Sequence, residues 1–366
     1  MRRALFSVLV LLALAALPAT ATAKSVQTVS LPVTFTVQNV NTTQLACATD
    51  GATYQIKGHI TGPQSALKAS SATASRHKRS KRKPAVRKGY VTLYLHGLGF
   101  GEWMWHFTAN PAYDYAALQA KAGHVSVTID RLGYDASGRP GGKQSCLAGQ
   151  ASIAHQVIGA LRGGTYSVEG GKPIAFKKVA LAGHSIGAEI AMIESYSFKD
   201  ISALVLVSFS YQNLPRAQVL LGPTYDLCKT GGEPAEPGSP SGYAPYGTGT
   251  PEDFRSAMFS SAPQAVLDAA IPLRNLDPCG DTDSIITSLL HQKANLPKVK
   301  VPVLLVCGTK DVLFSPAGCE GQAERFTKNR HVSVQSVRGA AHAITLESSA
   351  STFRRKVARW LIKLGF

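Results

Sequence analysis

A serine at position 185 lies in the five-residue sequence Gly-His-Ser-Ile-Gly at 183–187, where a strand pattern changes into a helical pattern. Residues 178–182 are mostly β-branched or small and apolar, which is typical of a buried parallel strand. Apolar residues then recur at helical spacing from Ala188. A serine on so tight a turn has a strained backbone and exposes its hydroxyl above the sheet. Ser185 is therefore the candidate nucleophile.

The glycines at 183 and 187 fit this turn, because a β-carbon at either position would collide where strand and helix backbones converge. The alternative is that Ser185 only caps the helix, since short Gly-x-Ser-x-Gly matches are common by chance. The strand before it, the helix after it and two further motifs favour the nucleophile.

Two loops farther along the chain carry the base and the acid that a serine nucleophile needs. Asp311 follows the strand pattern at 301–306, and His342 follows the last strand pattern at 331–337. Because the carboxyl ends of parallel strands meet at one edge of a sheet, the three side chains can converge. We predict that Asp311 orients His342, which takes the proton from Ser185.

Each of these two assignments has an alternative. His342 is otherwise a loop histidine without a role, and Asp311 is otherwise an aspartate that forms a turn. Asp281 and Asp283 are fallback acids, although both lie within a long insertion.

Acyl transfer also requires two donors for the oxyanion that develops on the substrate. The backbone amide of Ile186, directly after the nucleophile, is one, and the amide of Leu98 in the loop after the third strand is the other. We interpret His96 and Gly97 as residues that support this loop, with His96 architectural rather than a second base. Three large side chains follow and either line the pocket or lie beneath it: Glu102, Trp103 and Trp105.

Strand and helix patterns alternate along the chain, which predicts an α/β fold with a doubly wound, mostly parallel sheet of about eight strands. The predicted strands are 31–40, 52–60, 90–95, 125–130, 178–182, 203–208, 301–306 and 331–337. The predicted helices are 113–122, 151–161, the segment after Ser185, and 351–364, with Phe353, Val357, Trp360 and Leu361 on one face of the last.

The alternation lapses between residues 211 and 297. This segment is rich in proline and glycine near 231–246 and is predicted to be helical at 251–270. A long insertion between late strands usually covers the carboxyl ends of the strands, so we predict a lid that caps the site and shapes substrate choice. The alternative is a passive loop held by disulfides.

The amino-terminal segment has the pattern of a secretion signal. Arg2 and Arg3 precede an apolar run that ends near Leu17, and Ala-Thr-Ala at 21–23 provides the small residues of a signal-peptidase site. The run is short for a membrane span. Residues 1–23 are predicted to be removed, which leaves 24–366 as one domain of a secreted protein. An uncleaved membrane anchor is the alternative.

The formal net charge of +17 is concentrated in two places. Two positive charges lie in the predicted signal and eight between Arg76 and Lys88, which leaves +7 on the rest of the chain. Residues 65–88 contain no aromatic residue and are predicted to be a flexible basic loop. Because stacking residues and a nucleic-acid-binding motif are missing, we expect no nucleic-acid partner. Weak electrostatic contact of 76–88 with anionic surfaces is the functional alternative to a plain loop.

Six cysteines in an exported chain favour disulfides. Many pairings are open, and proximity along the chain favours Cys307 with Cys319 and Cys228 with Cys279, which leaves Cys47 for Cys146. No Cys-x-x-Cys pair or histidine–cysteine cluster has zinc spacing, so we expect neither a structural metal nor a cofactor.

Together these motifs make the chain resemble an α/β-hydrolase of the broad group with a lid before the acid, over residues 31–366. The loop at 96–97 matches the family's oxyanion loop, 183–187 its nucleophile elbow, Asp311 its acid and His342 its base. Residues 130–137 resemble the family's Asp-Arg-x-Gly-x-Gly-x-Ser segment, with Asp135 where glycine is usual. The resemblance implies hydrolysis of carboxylic esters, or related small acyl substrates, through an acyl-serine intermediate.

A serine at the elbow disfavours dehalogenase and epoxide-hydrolase chemistry, which proceeds through an aspartyl ester. Two alternatives remain. One is a peroxidase-like or lyase-like enzyme that uses the same triad, and the other is a secreted binding protein that keeps the fold. Because binding alone does not require all three of Ser185, Asp311 and His342, the complete set argues against the binding protein.

Overall fold

The computed structural model describes residues 26–67 and 89–366. The predicted signal at 1–23 and most of the predicted basic loop, residues 68–88, lie outside these ranges. Eleven strands are formed in the described part of the chain. They are β1 (Thr28–Gln38), β2 (Thr53–Pro63), β3 (Tyr90–Leu95), β4 (Ser126–Ile129), β5 (Ser167–Val168), β6 (Lys178–His184), β7 (Ala203–Val207), β8 (Tyr243–Pro245), β9 (Leu276–Pro278), β10 (Val303–Gly308) and β11 (Val332–Val337).

Nine of these strands form one sheet in the spatial order β11-β10-β7-β6-β3-β4-β2-β1-β5, and β8 pairs with β9 in a separate ribbon. The six strands from β11 to β4 are parallel, whereas β2, β1 and β5 add an antiparallel edge. The predicted, mostly parallel sheet is confirmed. Its ninth strand, β5, has only two residues and is too short to show an alternating pattern.

Eleven α-helices accompany the strands in the same ranges. They are α1 (Gln64–Leu67), α2 (Tyr115–Lys121), α3 (Leu147–Gly163), α4 (Ile186–Ser197), α5 (Pro215–Lys229), α6 (Pro251–Met258), α7 (Gln264–Ala270), α8 (Cys279–Asp283), α9 (Ile285–Asn295), α10 (Pro316–Glu324) and α11 (Ala350–Leu364). The four residues predicted for the inner face of α11 are all buried. None of these helices is long and apolar enough to cross a membrane.

Two predictions at the level of elements need correction. The single helix predicted at 251–270 is two helices, because the backbone is extended at Phe259 and Pro263 precedes α7. Proline disfavours helical geometry in the residue before it, so the chain leaves the helix and restarts it. Residues 65–67, predicted as the start of the basic loop, belong to the short helix α1.

The 211–297 segment contains α5 to α9 and the β8–β9 ribbon, so it is more regular than its composition indicates. The helix α5 carries Pro223 in its interior, which obscures the helical pattern in the sequence. The ribbon lies at the centre of the segment, where Cys228 and Cys279 form a disulfide that closes the intervening chain.

The structure forms all three cysteine pairs that the sequence favours: Cys47–Cys146, Cys228–Cys279 and Cys307–Cys319. The last pair joins β10 to α10 and encloses the loop that carries Asp311. Three disulfides are compatible with an extracellular protein.

Candidate active site

Ser185 lies on a strained turn between β6 and α4. Its backbone has φ 52° and ψ −123°, in the positive-φ region that residues with a β-carbon seldom adopt. Strain of this kind costs about 1–3 kcal/mol and persists only where the surroundings enforce it. The Ser185 amide donates to the Val207 carbonyl at 2.9 Å, and its side chain makes no capping hydrogen bond to α4. The capping alternative therefore does not describe this serine.

The glycines around Ser185 are required by close backbone contacts. A β-carbon on Gly183 would lie 2.1 Å from the Gly187 carbonyl oxygen, and one on Gly187 would lie 2.6 Å from the His96 carbonyl oxygen. A β-carbon on Gly97 would lie 2.9 Å from the Ser185 β-carbon. The elbow and the loop after β3 thus approach each other at distances that only glycine allows.

The acid and the base predicted from the sequence form a hydrogen-bonded pair. Asp311 follows β10, His342 follows β11, and the His342 Nδ1 atom lies 2.8 Å from the Asp311 Oδ2 atom. The other carboxylate oxygen accepts the backbone amides of Leu313 at 2.8 Å and Phe314 at 3.2 Å. Asp311 therefore forms the turn considered as its alternative role and also orients the imidazole. Both side chains are almost fully buried.

His342 contacts His184, the residue that precedes Ser185. The His184 Nε2 atom lies 3.0 Å from the His342 carbonyl oxygen, and the two imidazole rings are 4.6 Å apart. Burial lowers the pKa of His184 well below its usual value, so its ring is neutral. Among the described residues the Ser185 hydroxyl makes no hydrogen bond to His342. Catalytic hydrogen bonds are often long before substrate binds.

The two amides predicted to hold the oxyanion, those of Leu98 and Ile186, border the same pocket as Ser185. Ile186 is the first residue of α4, where a helix leaves its amides without an intrahelical acceptor. Within the described ranges, neither amide donates to a protein acceptor. Both are therefore free to donate to a substrate oxygen.

His96 lies in the loop after β3, and both of its ring nitrogens are hydrogen-bonded to backbone groups, so neither is spare for proton transfer. Its Nε2 atom accepts the Arg131 amide at 3.0 Å, so Nδ1 carries the proton and donates to the Gly97 carbonyl at 2.9 Å. Burial and the neighbouring Arg131 guanidinium lower the pKa of His96 well below its usual value. These contacts bond His96 to the backbone of its own loop and of the Arg131 segment, and its role as a supporting residue stays a prediction.

Neither fallback acid contacts His342. Asp281 forms a buried ion pair with Arg131, at 2.6 Å between Oδ2 and Nη1, and Asp283 pairs with Lys143 at the surface. Arg131 also donates through Nε to the His96 carbonyl at 3.0 Å. This arginine joins the insertion to the oxyanion loop, and sequence reasoning missed it because Asp281 lies 150 residues away.

The pocket beside Ser185 is mainly apolar, and the insertion supplies about half of it. The sheet edge contributes Leu98, Ser185, Ile186, Phe209, Leu313 and Phe314. The insertion contributes Ala217, Leu221, Tyr225, Tyr246, Ile285, Ile286 and Leu289. Glu102, Trp103 and Trp105 do not border this pocket. Trp105 is fully buried against Tyr94 and Tyr115, so it belongs to the core rather than to the pocket wall.

One buried acid, Glu189, lies at the base of this pocket, one turn after Ser185 on α4. Its Oε1 atom accepts Ser288 Oγ at 2.5 Å and Gln292 Nε2 at 2.9 Å, which ties α9 of the insertion to the nucleophile helix. Burial raises the pKa of Glu189 to about 7. No sequence signal distinguishes this acid from an exposed one, because its partners lie about 100 residues away.

A sequence model of the alpha/beta hydrolase family matches residues 93–355, a range that includes the elbow, the acid and the base. The chain therefore belongs to the α/β-hydrolase family. No curated protein matches this α/β-hydrolase significantly by sequence.

Solved structures share the fold of this α/β-hydrolase at low sequence identity. A monoacylglycerol lipase from Paleococcus ferrophilus is 20% identical, with a TM-score of 0.57, and the match covers 75% of this chain and 95% of the lipase. A thermophilic esterase from Thermogutta terrifontis is 15% identical, with a TM-score of 0.60, and the match covers 90% of this chain and 99% of the esterase. A Mycobacterium tuberculosis protein described as a non-haem bromoperoxidase is 16% identical, with a TM-score of 0.53, and the match covers 76% of this chain and 94% of the bromoperoxidase. Identities this low establish the fold and leave the reaction to the site.

Proposed function

We propose that this α/β-hydrolase is a secreted serine hydrolase that cleaves carboxylic esters through an acyl-enzyme on Ser185. The observation that supports this most is the 2.8 Å pair of His342 and Asp311, whose imidazole packs against His184, the neighbour of the strained Ser185 that lines an apolar pocket. Acyl transfer requires a nucleophile, a base oriented by an acid, and donors for the oxyanion, and Ser185, the His342–Asp311 pair and the Leu98 and Ile186 amides are candidates for these roles. The lipase and the esterase that share the fold support an ester substrate.

In the proposed reaction, the Ser185 hydroxyl attacks the ester carbonyl carbon while His342 Nε2 takes its proton. Asp311 accepts the hydrogen bond from Nδ1 and stabilises the imidazolium that forms. The Leu98 and Ile186 amides hold the oxyanion of the tetrahedral intermediate. His342 then returns the proton to the departing alcohol, and a water molecule activated by the same imidazole releases the acid.

The lining of the pocket favours an apolar acyl group. Leucine, isoleucine and phenylalanine side chains from both the sheet edge and the insertion surround the space next to Ser185. We propose that the insertion acts as a lid whose α5 and α9 contact the acyl chain. Each methylene group buried in such a pocket contributes about 0.8 kcal/mol to binding, so esters of medium-length acids are expected to exceed acetate in kcat/KM.

The test is a panel of p-nitrophenyl esters of increasing chain length, together with labelling by a fluorophosphonate. Ester hydrolysis and labelling are both expected for the wild type. Ser185→Ala is expected to abolish labelling and reduce kcat by roughly 10³-fold or more. Ser210→Ala serves as the matched control, because Ser210 borders the same pocket but bonds the Gly318 carbonyl, and it is expected to keep both signals.

Three results would count against the proposal. Turnover that persists in purified Ser185→Ala would remove the serine from the mechanism. A folded wild type that neither hydrolyses any ester nor reacts with the fluorophosphonate would favour the binding-protein alternative. Peracid formation that exceeds ester hydrolysis would favour the peroxidase-like one.

A further inference from the structure

A second cluster of ionisable side chains lies at the far end of the nucleophile helix, away from the pocket. His155 on α3, Glu194 near the end of α4, and Asp200 in the loop before β7 each bring one donor atom within 4.8 Å of the other two. It is the only group of three or more such residues that converges in this way within 26–67 and 89–366. None of the three contributes to the site at Ser185.

The carboxylate oxygens of this cluster lack partners that an interior carboxylate needs. Glu194 is fully buried, and within 26–67 and 89–366 no N–H or O–H group donates to either of its oxygens; its polar neighbour is the Asp200 carboxylate. The Asp200 Oδ1 atom is also buried and receives no donor from these residues, whereas Oδ2 lies 2.8 Å from His155 Nδ1. Buried carboxylates without donors require a compensating positive charge.

We propose that His155, Glu194 and Asp200 form a binding site for a divalent transition-metal cation such as Zn²⁺. Zinc binds imidazole nitrogen and carboxylate oxygen at about 2.0–2.2 Å in tetrahedral geometry, so its ligands lie about 3.4 Å apart. The donor atoms of the cluster lie within 4.8 Å of one another, so side-chain adjustments of about 1 Å would bring them to that spacing. An imidazole beside two carboxylates favours a transition metal over Ca²⁺ or Mg²⁺, which prefer oxygen alone.

The site has an entry path and a defined structural effect. The side chains of His155 and Asp200 are 40% and 23% exposed, so a cation can reach the buried Glu194 from that side. Phe198 stacks on the His155 ring at 4.0 Å and limits its rotation. A cation here would join α3, α4 and the loop to β7. It would stabilise the helix that carries Ser185 without taking part in the reaction.

The competing account is a proton shared between Glu194 and Asp200, with His155 and Asp200 as a simple ion pair. In that account a proton taken up from the solvent neutralises the buried carboxylates, and no metal binds. The Arg162 guanidinium, which donates to the Asp200 backbone carbonyl, is a further nearby positive charge. The two accounts differ in how the protein responds to added metal and to Glu194→Gln.

The experiment measures the thermal midpoint of untagged protein, stripped of metal with a chelator, as Zn²⁺ is added, with Ca²⁺ in a parallel series. Zinc at 100 times its Kd is expected to raise Tm by at least about 3 °C, and Ca²⁺ is expected to have less effect. Isothermal titration is expected to give one site per chain. His155→Gln, a change at a partly exposed position, is expected to remove the shift, as is Glu194→Gln.

His59→Gln is the matched control. It removes an imidazole from the pair with Glu102, which lies outside the cluster, and is expected to leave the zinc shift unchanged. If the wild type showed no saturable zinc binding, the metal site would be rejected and the shared-proton account would be favoured. A zinc shift of equal size in His155→Gln and the wild type would overturn it as well.

Discussion

The edge of the sheet around Ser185 and the insertion at 211–297 are held in place by different kinds of contact. At the edge, backbone groups of β3, β6 and α4 approach so closely that a β-carbon on Gly183 would lie 2.1 Å from a carbonyl oxygen. The insertion meets the same helix through side chains, with Ser288 and Gln292 bonded to Glu189. It also leaves Val219, Ile286 and Leu290 at least 60% exposed. Close backbone contacts therefore hold the residues around Ser185 in place. Side-chain contacts, which tolerate substitution more easily, hold the insertion that lines about half of the pocket.

That difference predicts that a glycine-to-alanine substitution is harmful at the sheet edge and tolerated in the insertion. Gly183→Ala is expected to destabilise the fold by at least about 3 kcal/mol and remove activity, because neither backbone can move away. Gly222→Ala in α5 of the insertion is the control. A β-carbon there meets nothing within 4 Å, so alanine is expected to add about 0.5–1 kcal/mol of stability. Urea unfolding of both variants measures the contrast, and a stable, active Gly183→Ala would contradict it.

The next effect concerns the acid at the edge. Asp311→Asn keeps an oxygen for the Leu313 amide but no longer stabilises the His342 imidazolium, so kcat is expected to fall by roughly 10³-fold. The free energy of unfolding should change much less than kcat. Asp283→Asn, at an exposed pair with Lys143, is expected to leave kcat unchanged. If the two variants lost activity equally, Asp311 would not be the acid.

A smaller effect is expected where the two regions meet, at Glu189. Burial raises its pKa from the usual 4.5 to about 7, so the unfolded chain ionises first as pH rises. The folded protein therefore loses stability between about pH 4.5 and 7 and recovers none above that range. The side chain at position 189 does not ionise in Glu189→Gln, so the free energy of unfolding of this variant relative to the wild type is expected to increase from pH 5 to pH 8, by about 3 kcal/mol at most, and its relative Tm is expected to rise with it.

Thermal unfolding across that pH range, with exposed Glu252→Gln as the control, measures the difference. A difference in Tm between wild type and Glu189→Gln that does not change with pH would mean that Glu189 does not titrate in this window.

The smallest effect on catalysis is expected for substitutions in the insertion, where side chains form the pocket wall. Leu289→Trp adds volume to the pocket wall and is expected to lower kcat/KM for long-chain esters about tenfold relative to acetate. Leu290→Trp, at the neighbouring position, is the control because Leu290 is 76% exposed and does not border the pocket. Kinetics on the p-nitrophenyl panel compare them. Equal selectivity in both variants would show that α9 does not contact the acyl chain.

The same contrast explains how much the sequence could predict. The elbow, the acid and the base each follow a strand and depend on contacts within a few residues, so local patterns indicated Ser185, Asp311 and His342. The insertion depends on contacts between distant residues. Its helices α5 and α9 were not predicted, because an internal proline and partly polar faces hide their periodicity.

Contacts between residues far apart in the chain could not be predicted from the sequence either. Arg131 and Asp281 are 150 positions apart, and the cluster at His155 combines two helices and a loop. The absence of zinc spacing in the sequence excluded only sites built from short motifs. Ligands separated by 39 or 45 positions give no local pattern.

The central claim is that Ser185 carries the acyl group during turnover, and mass spectrometry tests it most directly. Protein mixed with a p-nitrophenyl ester and quenched in acid is expected to gain the mass of one acyl group, on the peptide that contains Ser185. The adduct should be missing from Ser185→Ala. Rapid ester hydrolysis with the acyl group on another residue, or with an adduct that persists in Ser185→Ala, would contradict the account.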